Sequence, residues 1–211
     1  VQYQYITIEG NIGAGKTTLS TLLAQHFDAR LVLEQFADNP FLPKFYEKPE
    51  QYAFQLEMSF LAERFKQLKN LLNTRDMFRP VTITDYLFIK CKLFAHVNLA
   101  EDEYRLFESL FDIIYPNLPH PELLVYLHSP VHKLQENIKQ RARSYEQSIP
   151  DAYLQSIQDA YWAYMRTVQI PIVIVDTSQI DFVARTKDFE LILGIFDKKW
   201  PTGITVLNGA L

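Results

Sequence analysis

Cysteine is almost missing from this chain: Cys91 is the only one in 211 residues. A disulfide within the chain is therefore excluded, and a reducing, cytoplasmic setting is expected. Long apolar runs are missing too. None approaches the ~18 residues of a membrane span, so no membrane association is expected. The opening residues, VQYQY, run straight into a strand pattern and leave no room for a signal peptide. They also lack an initiator methionine, as a processed chain or one cut from something longer would. There is no surplus of basic residues: the formal charge is −4 and the pI near 5.7. That excludes a protein that grips polymeric nucleic acid by its phosphates, which takes a dense basic surface. A small anionic ligand stays compatible, because a local nest of N–H groups binds it whatever the global charge. Repeats and low-complexity tracts are absent as well.

What is present is core material. At 48% apolar content, 211 residues suffice for one sizeable core, so one domain spanning 1–211 is expected. Alternation and β-branched enrichment mark five strands: Tyr3 to Glu9, Arg30 to Glu34, Val81 to Thr84, Leu123 to His128, and Ile172 to Asp176. Helical patterns fill the gaps, over Gly15 to Phe27, Glu50 to Leu72, Tyr86 to Val97 and Glu101 to Ile114. Further ones follow over Val131 to Arg141, Asp151 to Val168, and Lys187 to Phe196. Such alternation points to an α/β fold, a parallel sheet with helices on both faces. The tail, about 198–211, reads either as a loosely attached terminus or as an extra edge strand.

The stretch YITIEGNIGAGKTTL (5–19) leaves its strand through three glycines in six residues. From Gly10 to Thr17 it fits G-x-x-x-x-G-K-[ST], the phosphate-binding P-loop. Gly10, Gly13 and Gly15 permit positive φ and close approach of backbone to phosphate oxygens. The turn's N–H groups and those of the helix it opens form an anion nest, which places Asn11, Ala14 and Thr18 among the nucleotide-binding residues. Lys16 is expected on the β- and γ-phosphates, and the Thr17 hydroxyl on Mg²⁺. The expected architecture is thus a P-loop NTPase-type five-stranded parallel sheet.

Phosphoryl transfer needs a base, a metal and neutralising cations near the ends of the other strands. Glu34 ends the second strand and Asp85 the third; an acid in such a place can also be only a helix cap. In IKQRARSYEQSIP (138–150), Arg141 and Arg143 sit on a short helix–helix connection. Planar bidentate donors there suit a lid over phosphates, about 139–149.

Taken together the chain resembles the deoxynucleoside kinase family. GNIGAGKTT (10–18) resembles its P-loop, YEKPEQYAFQ (46–55) its substrate segment, and QRARSYEQSIPDAYLQ (140–155) its lid. The resemblance implies ATP as phosphate donor with Mg²⁺ on Thr17 and Asp85, and a homodimer through helices of the 86–115 region. It also implies roles. Glu34 takes the proton of the nucleoside 5′-hydroxyl, Gln55 pairs with the base edge, and Tyr46 and Glu146 hold the 3′-hydroxyl. Phe94 stacks on the base, and Arg141 and Arg143 hold phosphates. A side-chain amide donates and accepts together, so Gln55 suits a base edge.

The match breaks after the third strand. The family pattern there is acid, Arg, Ser; this chain has Asp85, Tyr86, Leu87, so the arginine is absent. Lys90, one helical turn beyond Tyr86, is a candidate replacement. Lys90 and Cys91 also compete for a position that helps relatives choose among bases. Met58, one turn from Gln55, leaves a lean towards purines. Rival readings are a thymidylate kinase, whose phosphate acceptor calls for arginines that Phe36 to Phe60 lacks, and a nucleotide-binding relative without turnover. A GTPase needs a guanine-reading lysine that VDTSQIDF (175–182) lacks. TSQIDF is instead expected near the ATP adenine.

Overall fold

A computed structural model describes residues 1–35, 39–73 and 79–207, the side chains of 71–73 excepted. Phe36 and the tail end 208–211 lie outside the described residues. The chain runs β1 (Tyr5–Gly10), α1 (Lys16–Phe27), β2 (Arg30–Val32), α2 (Leu42–Glu47), α3 (Pro49–Asn73) and β3 (Thr82–Thr84). Then come α4 (Lys90–Asn98), α5 (Glu101–Ile114), β4 (Leu123–His128), α6 (Val131–Arg141), α7 (Asp151–Met165), β5 (Pro171–Asp176), α8 (Thr186–Leu193) and β6 (Gly203–Val206).

Among the described residues, six strands lie in one parallel sheet, in the order β2-β3-β1-β4-β5-β6. The chain leaves β1 to one side for β2 and β3, then crosses to the other for β4. The carboxyl end of β1 is therefore a topological switch point, where open α/β sheets place their ligands.

Period-two alternation builds the two faces. On β4, Leu123, Val125 and Leu127 face one core with Leu19 and Leu23 of α1, Leu134 and Ile138 of α6, and Ile192 of α8. Leu124 and Tyr126 face the other with Phe107 and Phe111 of α5 and Ile157 and Tyr161 of α7. Fully buried side chains of this kind contribute roughly 2 kcal/mol each. A third apolar cluster, Leu42 and Phe45 of α2 with Ala53, Leu56 and Phe60 of α3, forms a wall beyond the sheet's edge.

The structure departs from the sequence reading in three places. A sixth strand replaces the loose-tail alternative: β6 pairs with β5 from Pro171↔Gly203 to Ile174↔Val206. Its four residues, GITV, are too short for periodicity to mark, and the Trp200 N–H donating to the Tyr3 hydroxyl at 2.7 Å anchors the approach. Helix α2 went unmarked for the same reason of length. Helix α4 starts at Lys90, so Tyr86 to Ile89 form a turn ahead of it and Lys90 is not one helical turn beyond Tyr86.

Candidate active site

The loop between β1 and α1 shows why it is rich in glycine. Gly13 has φ +82° and Gly15 has φ +87°, backbone that L side chains rarely adopt. A Cβ on Gly13 would also stand 2.9 Å from the Leu134 carbonyl oxygen. Helix α1 begins at Lys16 with no side-chain cap and no acid in its first turn, so its leading N–H groups face the cleft uncompeted. The Lys16 ammonium donates to the carbonyls of Gly10 and Asn11, each at 2.9 Å. Burial and the neighbouring Lys90 push its pKa down to about 8, against the pull of Glu9, Glu34 and Asp85.

Two clefts meet at this loop. The outer one is lined by Gly13 to Thr18, by Asn137, Gln140 and Lys133 of α6, and by Thr177 to Val183 after β5. The inner one, about 760 Å³ including its mouth, is walled by Leu42, Phe45, Leu56, Phe60, Phe94 and Tyr153. Six side chains line both: Lys16, Thr17, Glu34, Asp85, Arg141 and Arg143.

Asp85 joins three elements at that junction. Its carboxylate accepts the Thr17 hydroxyl at 2.6 Å and the Glu34 N–H at 2.7 Å. Glu34, after β2, accepts from the Lys90 ammonium at 2.6 Å and from the Arg64 guanidinium, whose Nε lies at 3.0 Å. Burial alone would raise the Glu34 pKa. Arg64 and Lys90 outweigh it and hold the carboxyl far below the usual range, so Glu34 is a fixed anion.

The lid follows α6. Ala142 caps the helix with φ +56°, and this turn sends Arg141 and Arg143 onto the same partner, Glu146. Glu146 is buried, and beside it Tyr46 lines the inner cleft with its ring stacked on Tyr145 at 5.9 Å.

Most of the expected residues are therefore brought together, but three are not. Gln55 is exposed and lines neither cleft. On α3 the cleft-facing stripe is Leu56, Glu57, Phe60 and Arg64, and two residues along a helix is a turn of about 200°, which puts Gln55 on the far side from Glu57. Met58 is half-buried against the core of α4 and α5, outside both clefts. Asn11 is buried, but its amide donates to the Leu154 carbonyl at 2.7 Å and tethers the P-loop to α7.

Sequence reasoning also missed four participants. Arg64 and Glu57 sit on the stripe just named, and Glu57 lies two residues beyond Gln55 on the opposite side of α3. Asn98, at the end of α4, hydrogen-bonds Glu57. Glu9, inside β1, was read only as a strand end. Its buried carboxylate accepts the Gly10 N–H at 3.0 Å, the Leu87 N–H at 2.8 Å and the Tyr161 hydroxyl at 2.9 Å, tying the P-loop to the turn before α4.

Among proteins of known identity, residues 6–198 match the family model described as deoxynucleoside kinase. The chain is 36% identical over 197 residues to a deoxyguanosine kinase of Bacillus subtilis, covering 89% of this chain and 93% of that one. It is 32% identical over 160 residues to a deoxyadenosine/deoxycytidine kinase of the same organism, covering 74% of each. Among solved structures, deoxyadenosine kinase from M. mycoides with bound dATP superposes with a TM-score of 0.79 at 24% identity, covering 92% of this chain and 99% of that one. The same enzyme with bound dCTP gives 0.78 at 23%, covering 91% and 98%. With a family match that takes in the P-loop, both clefts and the turn after α6, the chain belongs to the deoxynucleoside kinases, a family of phosphotransferases.

Proposed function

We propose that the protein transfers the γ-phosphoryl group of ATP to the 5′-hydroxyl of a purine deoxyribonucleoside, giving the 5′-monophosphate. One observation carries the reading. The cleft along the P-loop and the inner cleft beside it share Lys16, Thr17, Glu34, Asp85, Arg141 and Arg143, so donor and acceptor would meet among those side chains. Phosphoryl transfer has little covalent chemistry for a protein to perform, and such a meeting point supplies what it needs: position and charge.

In this reading Glu34 accepts the hydrogen bond, and then the proton, of the attacking hydroxyl. Its depressed pKa keeps it ionised before transfer and makes it an orienter more than a strong base. Lys16, Arg141 and Arg143 neutralise the transferring group from the P-loop and lid sides. Thr17 and Asp85 offer a hydroxyl and a carboxylate 2.6 Å apart. Hard oxygen donors of this kind, few in number, fit Mg²⁺, which completes its shell with phosphate and water oxygens. The metal would neutralise phosphate charge. Tyr46 and Glu146 close the sugar end and Phe94 flanks the base. A missing 3′-hydroxyl would leave that polar pair unsatisfied.

No helix among the described residues is long and apolar enough to cross a membrane, and a cytoplasmic location suits an ATP-dependent salvage step. A homodimer is part of the proposal: on α5, Leu106 and Ile113 expose 55% and 70% of their surface. Residues 1–211 act as one catalytic unit, with 139–149 as the lid and 198–211 as the tail.

Steady-state phosphorylation of the four deoxynucleosides and thymidylate, with Mg-ATP and beside Glu34→Gln, tests this. Turnover of a purine deoxynucleoside that falls by about 10²-fold or more in the variant is expected. Reaction of thymidylate alone would overturn the acceptor assignment.

A further inference from the structure

Glu9 is a buried carboxylate that the clefts leave out. It lies inside β1 beside Tyr126 of β4, is fully buried, and lines neither the outer nor the inner cleft. A carboxylate within a parallel sheet is costly unless donors surround it. Here Oε1 accepts the Leu87 N–H at 2.8 Å, and Oε2 accepts the Gly10 N–H at 3.0 Å and the Tyr161 hydroxyl at 2.9 Å. Only an acceptor with two oxygens and several lone pairs receives three donors at once.

The two N–H groups belong to residues with a common task. The carbonyl of Gly10 accepts the Lys16 ammonium at 2.9 Å. The carbonyl of Leu87 accepts the Lys90 N–H at 2.9 Å, at the start of α4, and from there the Lys90 ammonium reaches Glu34 at 2.6 Å. Each lysine is thus one residue removed from the same carboxylate, one through the P-loop and one through the turn before α4. The fields of Lys90 and Lys16, with the two N–H groups, also oppose the rise that burial gives the Glu9 pKa, so the anion and the two cations support one another.

Resting on the kinase reading above, we propose that Glu9 is a positioning residue for phosphoryl transfer: its carboxylate sets the spacing between Lys16, on the P-loop side, and Lys90, beside Glu34. A shift of either segment moves a cation relative to the reacting groups, where a misplacement of about 1 Å costs up to ~10²-fold in rate. Tyr161 steadies the carboxylate from α7 and touches neither segment's N–H.

The test is steady-state kinetics of the wild type, Glu9→Gln and Tyr161→Phe, with Mg-ATP and the deoxynucleoside that the wild type turns over best, beside thermal unfolding. Glutamine keeps the shape but has one acceptor oxygen and an NH₂ group, so one of the two N–H groups is left facing a donor. In Glu9→Gln, kcat should fall by about tenfold or more. KM for the deoxynucleoside should stay within about threefold, because Glu9 does not line its pocket. Tyr161→Phe takes one donor from the same carboxylate and leaves both N–H bonds, so it should lower the melting temperature while keeping kcat within about twofold. Equal kcat in Glu9→Gln and the wild type would overturn the assignment. So would an equal loss of kcat in Tyr161→Phe, the mark of a core that has merely loosened. If Glu9→Gln does not fold, amide exchange in the wild type decides: Leu87 lies outside helix and strand, yet its N–H should exchange as slowly as those of β1. Fast exchange there would overturn the assignment too. If the wild type phosphorylates no deoxynucleoside, the kinase reading falls and this inference with it.

Discussion

The Lys90 ammonium lies 2.6 Å from the Glu34 carboxylate, at the start of α4 and opposite the P-loop lysine. The two residues are 56 apart in sequence and both nearly buried. Their pairing answers the gap left by Tyr86 and Leu87, where the family resemblance calls for an arginine. A cation reaches the Glu34 carboxylate from the helix instead of from the turn.

Replacing Lys90 with Met should therefore lower kcat by about 10²-fold, with KM for ATP changed much less, since the lost charge acts where the groups react. Lys90→Arg should recover part of the rate. Truncating one partner of a buried ion pair also destabilises, by about 3 kcal/mol, so thermal unfolding must be read alongside. Equal kcat in Lys90→Met and the wild type would remove Lys90 from the machinery.

Lys16 sets a pH limit. Its pKa is pushed down to about 8 by burial and by Lys90, and phosphate oxygens favour the ammonium. ATP binding should weaken as pH rises through about 8, and at pH 8 to 9 it should take up protons. Calorimetric titration in two buffers of different ionisation enthalpy measures that uptake directly. No proton uptake across this range would mean that Lys16 is already fully charged before ATP binds.

The sequence made much of this legible, for physical reasons. The P-loop is a local backbone device, written in Gly13, Gly15 and Lys16 at fixed spacing, so no tertiary knowledge is needed to see it. Strand-end acids Glu34 and Asp85 follow from the rule that parallel sheets bind at their carboxyl ends. What stayed hidden depended on rotation about a helix axis. On α3 both faces carry apolar residues, one against the core and one against the cavity, so the hydrophobic pattern could not separate Gln55 from Glu57. Glu9 was hidden by its strand, where a buried carboxylate is rare enough that an apolar reading of the run absorbs it. Strand β6 needed its partner β5 to exist.

Ala142 holds a left-handed backbone, φ +56°, between the two lid arginines. For a residue with a Cβ this costs about 1 kcal/mol, which glycine avoids. Ala142→Gly should raise the melting temperature by about 2 °C once the added freedom of the unfolded chain is subtracted. The same change should leave kcat for phosphoryl transfer within about twofold, because Arg141 and Arg143 keep their places. A fall in stability would mean that the segment after α6 is held by something other than this turn.

Glu57 couples stability to pH, and the sign can be worked out. Its folded pKa, about 7, stands above the ordinary 4.5 of an unfolded glutamate. Between those values the folded protein binds the extra proton, so this group's contribution to stability declines as pH rises from about 4.5 to 7. At ~1.4 kcal/mol per unit, the full cost above pH 7 is roughly 3 kcal/mol. Glu57→Gln removes the titration while keeping the shape. The variant should therefore be more stable than the wild type at pH 8, by several degrees in melting temperature, and the gap should narrow as pH falls towards 5.5. Arg64, Lys90, Glu34 and Tyr153 also face this carboxylate, but the difference between the two proteins isolates the one group that changes. A melting gap that ignores pH would show that Glu57 binds protons alike in the folded and unfolded chain, and that burial does not raise its pKa.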